Sequence, residues 1–320
     1  MGIASKLIYN VGLLLIMMLP GVILKKTKLS SDGLGKGLSN LVLFIAQPAL
    51  VFVAYLKPYD PDILINALYV LLFSIVAHVI FSVVALLSYK SAPDSVRRML
   101  RFATIFSNAA FMGIPLIAAV LGDAAIIYAS IYNITFNLFL WSLGVYICTD
   151  EDGETDDVGR FLKKAILKAL VHPVMLAAVL GLVFFFLPIH DDIPEIIVEA
   201  LTMLKQLVAP LSMVVLGLRL ADMNLKGFFT NKHLYVFVAL RHFLLPAAVF
   251  AVMRIFSLFV SLDGDVIKSV LIMASAPAAT SATMFAEKYD CDADYVSKLV
   301  AVSTILSLAT MPIVILLTNI

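Results

Sequence analysis

Long apolar runs separated by short polar stretches dominate this chain. A helix needs roughly 20 residues to cross the hydrocarbon of a bilayer. Ten segments are of about that length: 8–24, 38–56, 63–88, 102–121, 124–147, 169–187, 196–218, 234–260, 266–286 and 295–318. Breakers such as "KPYDPD", "LPIHDDIP" and "SLDGD" stand between them. The pattern predicts an all-α polytopic membrane protein with ten transmembrane helices.

Composition supports the membrane assignment and rules out a soluble domain. Of 320 residues, 62% are hydrophobic and 14% are charged, against about 45–50% apolar in ordinary globular domains. The mean hydropathy is +1.02. The two cysteines, Cys148 and Cys291, form no CxxC or Cys/His cluster, so neither a metal site nor a disulfide framework is expected. The first apolar run ends in Lys25 and Lys26, the reverse of a signal peptide, so a retained helix is expected there. "MGIASK" has Lys6 where a myristoylation motif needs Ser or Thr.

Basic residues set the expected orientation. With the N-terminus outside, seventeen of the 23 Lys and Arg residues fall at inner loops. The positive-inside rule then places both termini outside the cell membrane. The polar stretch "TDEDGETDDVGRFLKK" divides the segments into five and five. It lacks the ligand spacing of an EF-hand and reads as a solvated cytoplasmic linker. The chain thus divides into 1–149, a linker at 150–168, and 169–320. An odd number of helices per half inverts the second half relative to the first.

An internal repeat supports that inversion. "FIAQPALVFVA" in the second segment parallels "QLVAPLSMVVLG" in the seventh. "FSNAAFMGIPLIAAVLGDAA" in the fourth parallels "ASAPAATSATMFAEKYDCDA" in the ninth. Inverted repeats with interrupted helices at matching positions point to a secondary transporter. Pro277 removes a donor and drives its predecessor from helical angles. Asn108 can cap a second half-helix, and Gly113 and Pro115 loosen the fourth segment. Two half-helix N-termini meeting in the membrane would suit a carboxylate. The expected pocket comprises Ser107, Asn108, Gly113, Pro115, Ser275, Pro277, Thr280, Ser281 and Gln47.

Other polar residues carry two readings each. Gln47 either faces the crossing or bonds a neighbouring helix. Asn133 and Asn137 share a face, lining a path or gluing helices. Arg241 either meets a buried partner or snorkels. Lys205 is similar, with Glu199 as a candidate neighbour. His78 either titrates or packs. No Asp or Glu falls near the middle of a segment, so a midplane carboxylate for proton or sodium coupling is not evident; coupling through His78, Glu199 or a carbonyl-lined sodium site, and uniport, all stay open. HExxH, GxSxG and phosphate-binding loops are absent, and "LDGD" lacks the context of an intramembrane protease. Neither an enzyme, a cofactor, a metal nor a nucleic-acid partner is expected.

"SNAAFMGIPL", "RHFLLP", "ASAPAATSATMFAEKYDCD" and "SKLVAVSTILSLATMPI" together resemble the auxin efflux carrier family, in its prokaryotic branch. This family sits within the bile, arsenite and riboflavin transporter superfamily. The resemblance covers essentially the whole chain. It implies two inverted five-helix repeats with broken, crossing fourth and ninth helices. It further implies a scaffold (helices 1, 2, 6 and 7), a moving transport domain (helices 3–5 and 8–10) and elevator-type alternating access. Substrates would be small organic anions: auxins in plant members, dicarboxylates such as malate in bacterial ones. Asn108 carries over as a carboxylate contact. It is followed here by Ala109 and Ala110, where the plant pattern is Asn-Pro-Asn. Pro277 matches the crossover proline, and Arg241 an arginine in an Arg-Phe-Leu-x-x-Pro-like stretch. The expected function is secondary transport of such an anion across the plasma membrane, with a homodimer compatible. A sodium-coupled carrier of the bile-acid type and a non-transporting sensor are the alternatives.

Overall fold

The structure is a computed structural model, described at residues 3–31, 33–149, 167, 170–187, 193–221 and 228–317. The linker expected at 150–168 lies outside the described residues apart from Leu167. Among the described residues the chain is helical, and its only extended pairing is a single bridge.

The helices follow the apolar segments closely. They are α1 (Ile3–Lys26), α2 (Leu34–Tyr55), α3 (Pro61–Leu87), α4 (Asp94–Ile105), α5 (Ala109–Leu121) and α6 (Asp123–Cys148). The second half holds α7 (Pro173–Phe186), α8 (Glu195–Ala221), α9 (Lys232–Phe256), α10 (Gly264–Ser275), α11 (Ser281–Lys288) and α12 (Ala293–Leu317). Seven of the described helices are long and apolar enough to cross a membrane; α5 and α7 are shorter apolar helices. The fourth predicted segment is in fact two helices, α4 and α5, and begins earlier than expected, at Asp94. The apolar run missed that start because the first turns of α4 carry Arg97, Arg98 and Arg101. The ninth segment is likewise split into α10 and α11.

Four of the described helices contain a π-helical turn: Val42–Ala46 in α2, Ala109–Gly113 in α5, Leu140–Gly144 in α6 and Leu240–Leu244 in α9. Three of the four stop two residues before a proline, at Pro48, Pro115 and Pro246. A proline has no N–H for the preceding turn, and its ring collides with the carbonyl four residues back. Widening that turn by one residue relieves both conflicts without ending the helix.

The chain divides into two compact units. One comprises Met1–Tyr69, Ala110–Ile131 and Leu170–Asp222; the other comprises Val70–Ala109, Tyr132–Ala169 and Met223–Ile320. In the first unit, α1 and α8 touch backbone to backbone. A Cβ built on Gly217 would lie 2.0 Å from the Met18 carbonyl oxygen, and one on Gly21 would lie 2.1 Å from that of Val214. Small residues that allow such approach are the usual device for packing helices in lipid, where no hydrophobic effect drives association. Tyr55 of α2 lies against Gly181 of α7 in the same way, with a would-be Cβ at 2.7 Å. Gly122, at φ 89° and ψ 177°, makes the turn from α5 into α6 in a conformation open essentially to glycine alone.

In the second unit, an aromatic cluster underlies the interruption of α4. Phe102 stacks with Phe106 at 4.7 Å and Phe285 at 4.9 Å, and Trp141 reaches Phe285 at 5.7 Å. Gly144 leaves room for both α4 rings, since a Cβ there would meet them at 3.1 and 3.2 Å.

Candidate functional site

In the second unit, the two interrupted helices meet at their breaks. Phe106 leaves α4 in an extended conformation (φ −95°, ψ 119°), and Ala276 leaves α10 likewise (φ −57°, ψ 149°). For Ala276 the cause is the following Pro277, which disfavours helical angles in its predecessor. Ser107 and Ala278 then stand opposite each other as an antiparallel bridge. Asn108 N–H donates to the Pro277 carbonyl at 2.7 Å, and Ala279 N–H donates to the Phe106 carbonyl at 2.8 Å. Each break therefore satisfies the backbone of the other, as irregular chain inside a membrane requires.

The outward-facing groups of the bridge are served by side chains from further away. Ala278 N–H donates to Ser303 Oγ of α12 at 2.9 Å. His242 Nε2 lies 3.0 Å from that hydroxyl, and His242 Nδ1 lies 3.0 Å from Thr310 Oγ1. Ser303 Oγ thus accepts from Ala278 N–H while also meeting His242, and each ring nitrogen of His242 faces a hydroxyl that can donate or accept. Arg241, in the π-helical turn of α9, is fully buried. Its Nη1 donates to the Thr104 carbonyl at 3.1 Å and its Nη2 to the Ala276 carbonyl at 2.6 Å. The Phe81 ring lies 5.2 Å from the guanidinium carbon. Arg241 therefore does not snorkel; it spans the ends of α4 and α10.

Beside these backbone bonds, some side chains have no partner among the described residues. Among these residues, Ser107 Oγ and Asn108 Nδ2 are buried without a partner, and so are Ser281 Oγ and Asn133 Oδ1. Ser107 and Asn108 are 2% and 3% exposed. A buried amide donor left unpaired costs about 1–3 kcal/mol, so such a group calls for an explanation. Ser275 differs: its hydroxyl returns to the Leu271 carbonyl at 2.6 Å within α10. Thr280 is buried at the start of α11 without capping it.

The remaining polar residues of this unit pack. His78 Nδ1 lies 2.7 Å from the Ser74 carbonyl, and so carries its proton there. The ring sits between Tyr132 at 5.3 Å and Phe139 at 5.0 Å. Asn137 Nδ2 donates to the Asn133 carbonyl at 2.8 Å, one turn back on α6.

The first unit holds Gln47, Gly113, Pro115, Glu199 and Lys205. Gln47 is wholly buried, and its Nε2 donates to the Ala110 carbonyl in the π-helical turn of α5 at 2.6 Å. Its Oε1 has no partner. Gly113 closes that turn and Pro115 follows it. A shallow cleft of about 150 Å³ is lined by Leu50, Pro115, Ala118, Val208 and Ala209, with Asp123, Lys205 and Gln206 at its polar side. Lys205 Nζ lies 2.7 Å from Asp123 Oδ2. The expected neighbour of Lys205, Glu199, is exposed on the same helix six residues away and does not pair with it. Six positions correspond to well over half a turn beyond one full turn, so the two side chains point apart.

Sequence reasoning missed His242, Ser303 and Thr310 as parts of this network. Their only signal was polarity within apolar helices, which many packing residues share.

A family model described as membrane transport protein matches residues 7–315. The chain belongs to this family, the auxin efflux carriers. It is 26% identical over 309 residues to an uncharacterized transporter of Methanothermobacter thermautotrophicus, covering 93% of this chain and 94% of that one. It is 23% identical over 302 residues to an uncharacterized transporter of Methanocaldococcus jannaschii, covering 92% and 94%. This family membership makes the chain a membrane transport protein.

Proposed function

We propose that this carrier moves a small organic anion across the plasma membrane, with the substrate carboxylate bound where α4 and α10 are interrupted. One observation carries the reading: the Asn108 side chain is buried in a membrane interior, and among the described residues its Nδ2 donor has no partner. A carboxylate supplies the missing acceptor, and a hydrogen bond to a charged group is worth about 1.5–3 kcal/mol. Ser107 Oγ and Ser281 Oγ are further unpaired groups on the same two broken segments. Gln47 Oε1, in the first unit, is an acceptor without a partner among the described residues.

The fold that accompanies this reading is two inverted five-helix repeats with both termini outside. Helices 1, 2, 6 and 7 act as scaffold, and the rest move as an elevator. Matching breaks in the fourth and ninth predicted segments support it, as does the distribution of basic residues.

The test is a thermal-shift screen of the purified protein against mono- and dicarboxylates, followed by uptake of the best ligand into proteoliposomes. Stabilisation by a carboxylate together with flux supports the proposal. Binding without flux in sealed vesicles would make the protein a sensor on a carrier fold. Absence of both for every carboxylate would overturn the anion assignment.

A further inference from the structure

Each interrupted helix presents carbonyls at its C-terminal end that no longer have an intrahelical donor. Thr104 lies in the last turn of α4, and Ala276 is the residue that terminates α10. A helix C-terminus carries roughly half a negative charge. Two such ends sum to about one negative charge in a medium that solvates charge poorly. In interrupted-helix transporters, half-helix C-terminal ends and unwound carbonyls are the groups that hold a coupling cation. Here the guanidinium of Arg241 is bonded to a carbonyl of each end, at 3.1 and 2.6 Å.

Three further features make Arg241 a dedicated occupant rather than a stray cation. It is 0% exposed, so its head group does not contact solvent. Among the described residues no carboxylate pairs with it; its partners are the two carbonyls and the Phe81 ring at 5.2 Å. Its place in the π-helical turn Leu240–Leu244 is tied to Pro246, which widens the helix at this point. A planar group with several donors can serve two carbonyls at once, which an ammonium does with less directional control.

We propose that Arg241 is a built-in counter-cation at the crossover, standing where a mobile coupling cation would otherwise be required, so that the carrier works without sodium. Arg241 is a positioning residue in this scheme: it neutralises and joins the two helix ends, and Asn108 and Ser107 meet the substrate. The proposal rests on the transport reading above, and its test separates the two.

Wild-type protein in proteoliposomes is assayed with sodium or with N-methylglucamine as the only added cation. Equal flux within about twofold is expected, and a loss of about tenfold or more without sodium would overturn the proposal. If no carboxylate is transported, the transport reading fails, yet this proposal is still tested by melting the wild-type protein in sodium chloride and in choline chloride. Equal melting temperatures are expected, and a sodium-specific rise overturns it. Arg241→Ala supplies the third arm. Its flux, or its melting temperature where flux is absent, falls and is recovered by millimolar guanidinium but not by choline. An unimpaired Arg241→Ala protein overturns the proposal. The two wild-type arms stand even where that variant fails to fold.

Discussion

Replacing Asn108 by Leu should move stability and function in opposite directions. The side chain is 3% exposed, its Nδ2 is unpaired, and its backbone N–H, bonded to Pro277 at 2.7 Å, is untouched by the change. In the empty carrier the substitution removes a buried donor that has no acceptor. That relieves about 1–3 kcal/mol of desolvation and adds apolar surface of similar size. The melting temperature should hold or rise. With substrate present, the same change deletes a hydrogen bond to a carboxylate, worth about 1.5–3 kcal/mol, or about 10- to 150-fold in affinity. Both quantities are measured on one preparation: melting with and without saturating anion, and uptake rate at several concentrations in proteoliposomes. The expected result is a variant as stable as wild type when empty, barely stabilised by ligand, and slow in uptake. Stabilisation by ligand equal to wild type, with unchanged uptake, would refute the assignment of Asn108. A fall in the empty protein's melting temperature would show instead that the amide has a structural partner.

Three other outcomes follow from the geometry. Gly217→Ala forces a Cβ to within 2.0 Å of the Met18 backbone oxygen, so α1 and α8 must separate; overpacking of this kind costs about 1–3 kcal/mol or more, read as a lower melting temperature and a poorer monodisperse peak in detergent. Lys205→Ala removes an ion pair whose Asp123 side is 65% exposed, so the stability change should stay below about 1 kcal/mol; a larger loss on melting would show that the cleft beside it depends on the cation. His78→Phe keeps a ring between Tyr132 and Phe139 and loses only the bond to Ser74; flux against pH should retain the wild-type shape, and loss of a titrating limb would make His78 a proton carrier.

Helix positions were legible because lipid imposes a length: a span that misses roughly 20 apolar residues cannot cross. The breaks were partly legible. Pro277 announces its own, since the residue before a proline is pushed out of helical angles and Ala276 obeys. Asn108 marks the other, since the helix is interrupted at Phe106–Asn108, while Pro115, expected to loosen the segment, is absorbed in a π-helical turn. A proline thus marks a place where a helix must adapt, and the choice between breaking and widening depends on what can satisfy the freed groups. At Ala276 the adaptation is a break, because the opposing break at Phe106 offers backbone partners across the bridge at 2.7 and 2.8 Å. At Pro48 it is a widened turn (Val42–Ala46), next to a glutamine whose Nε2 serves a carbonyl of the other widened turn, that of Ala110. Such partners come from residues 63 positions apart in one case and more than 160 in the other, beyond the reach of local patterning. The same logic explains Arg241. Its charge was visible as an anomaly in an apolar helix, but its meaning depends on Thr104 and Ala276 converging from distant segments. Once they converge, Arg241 joins two helix ends, and the unpaired Asn108 Nδ2 lies on the adjoining break. On the reading proposed above, the first is neutralised by the protein itself and the second is left for the anion.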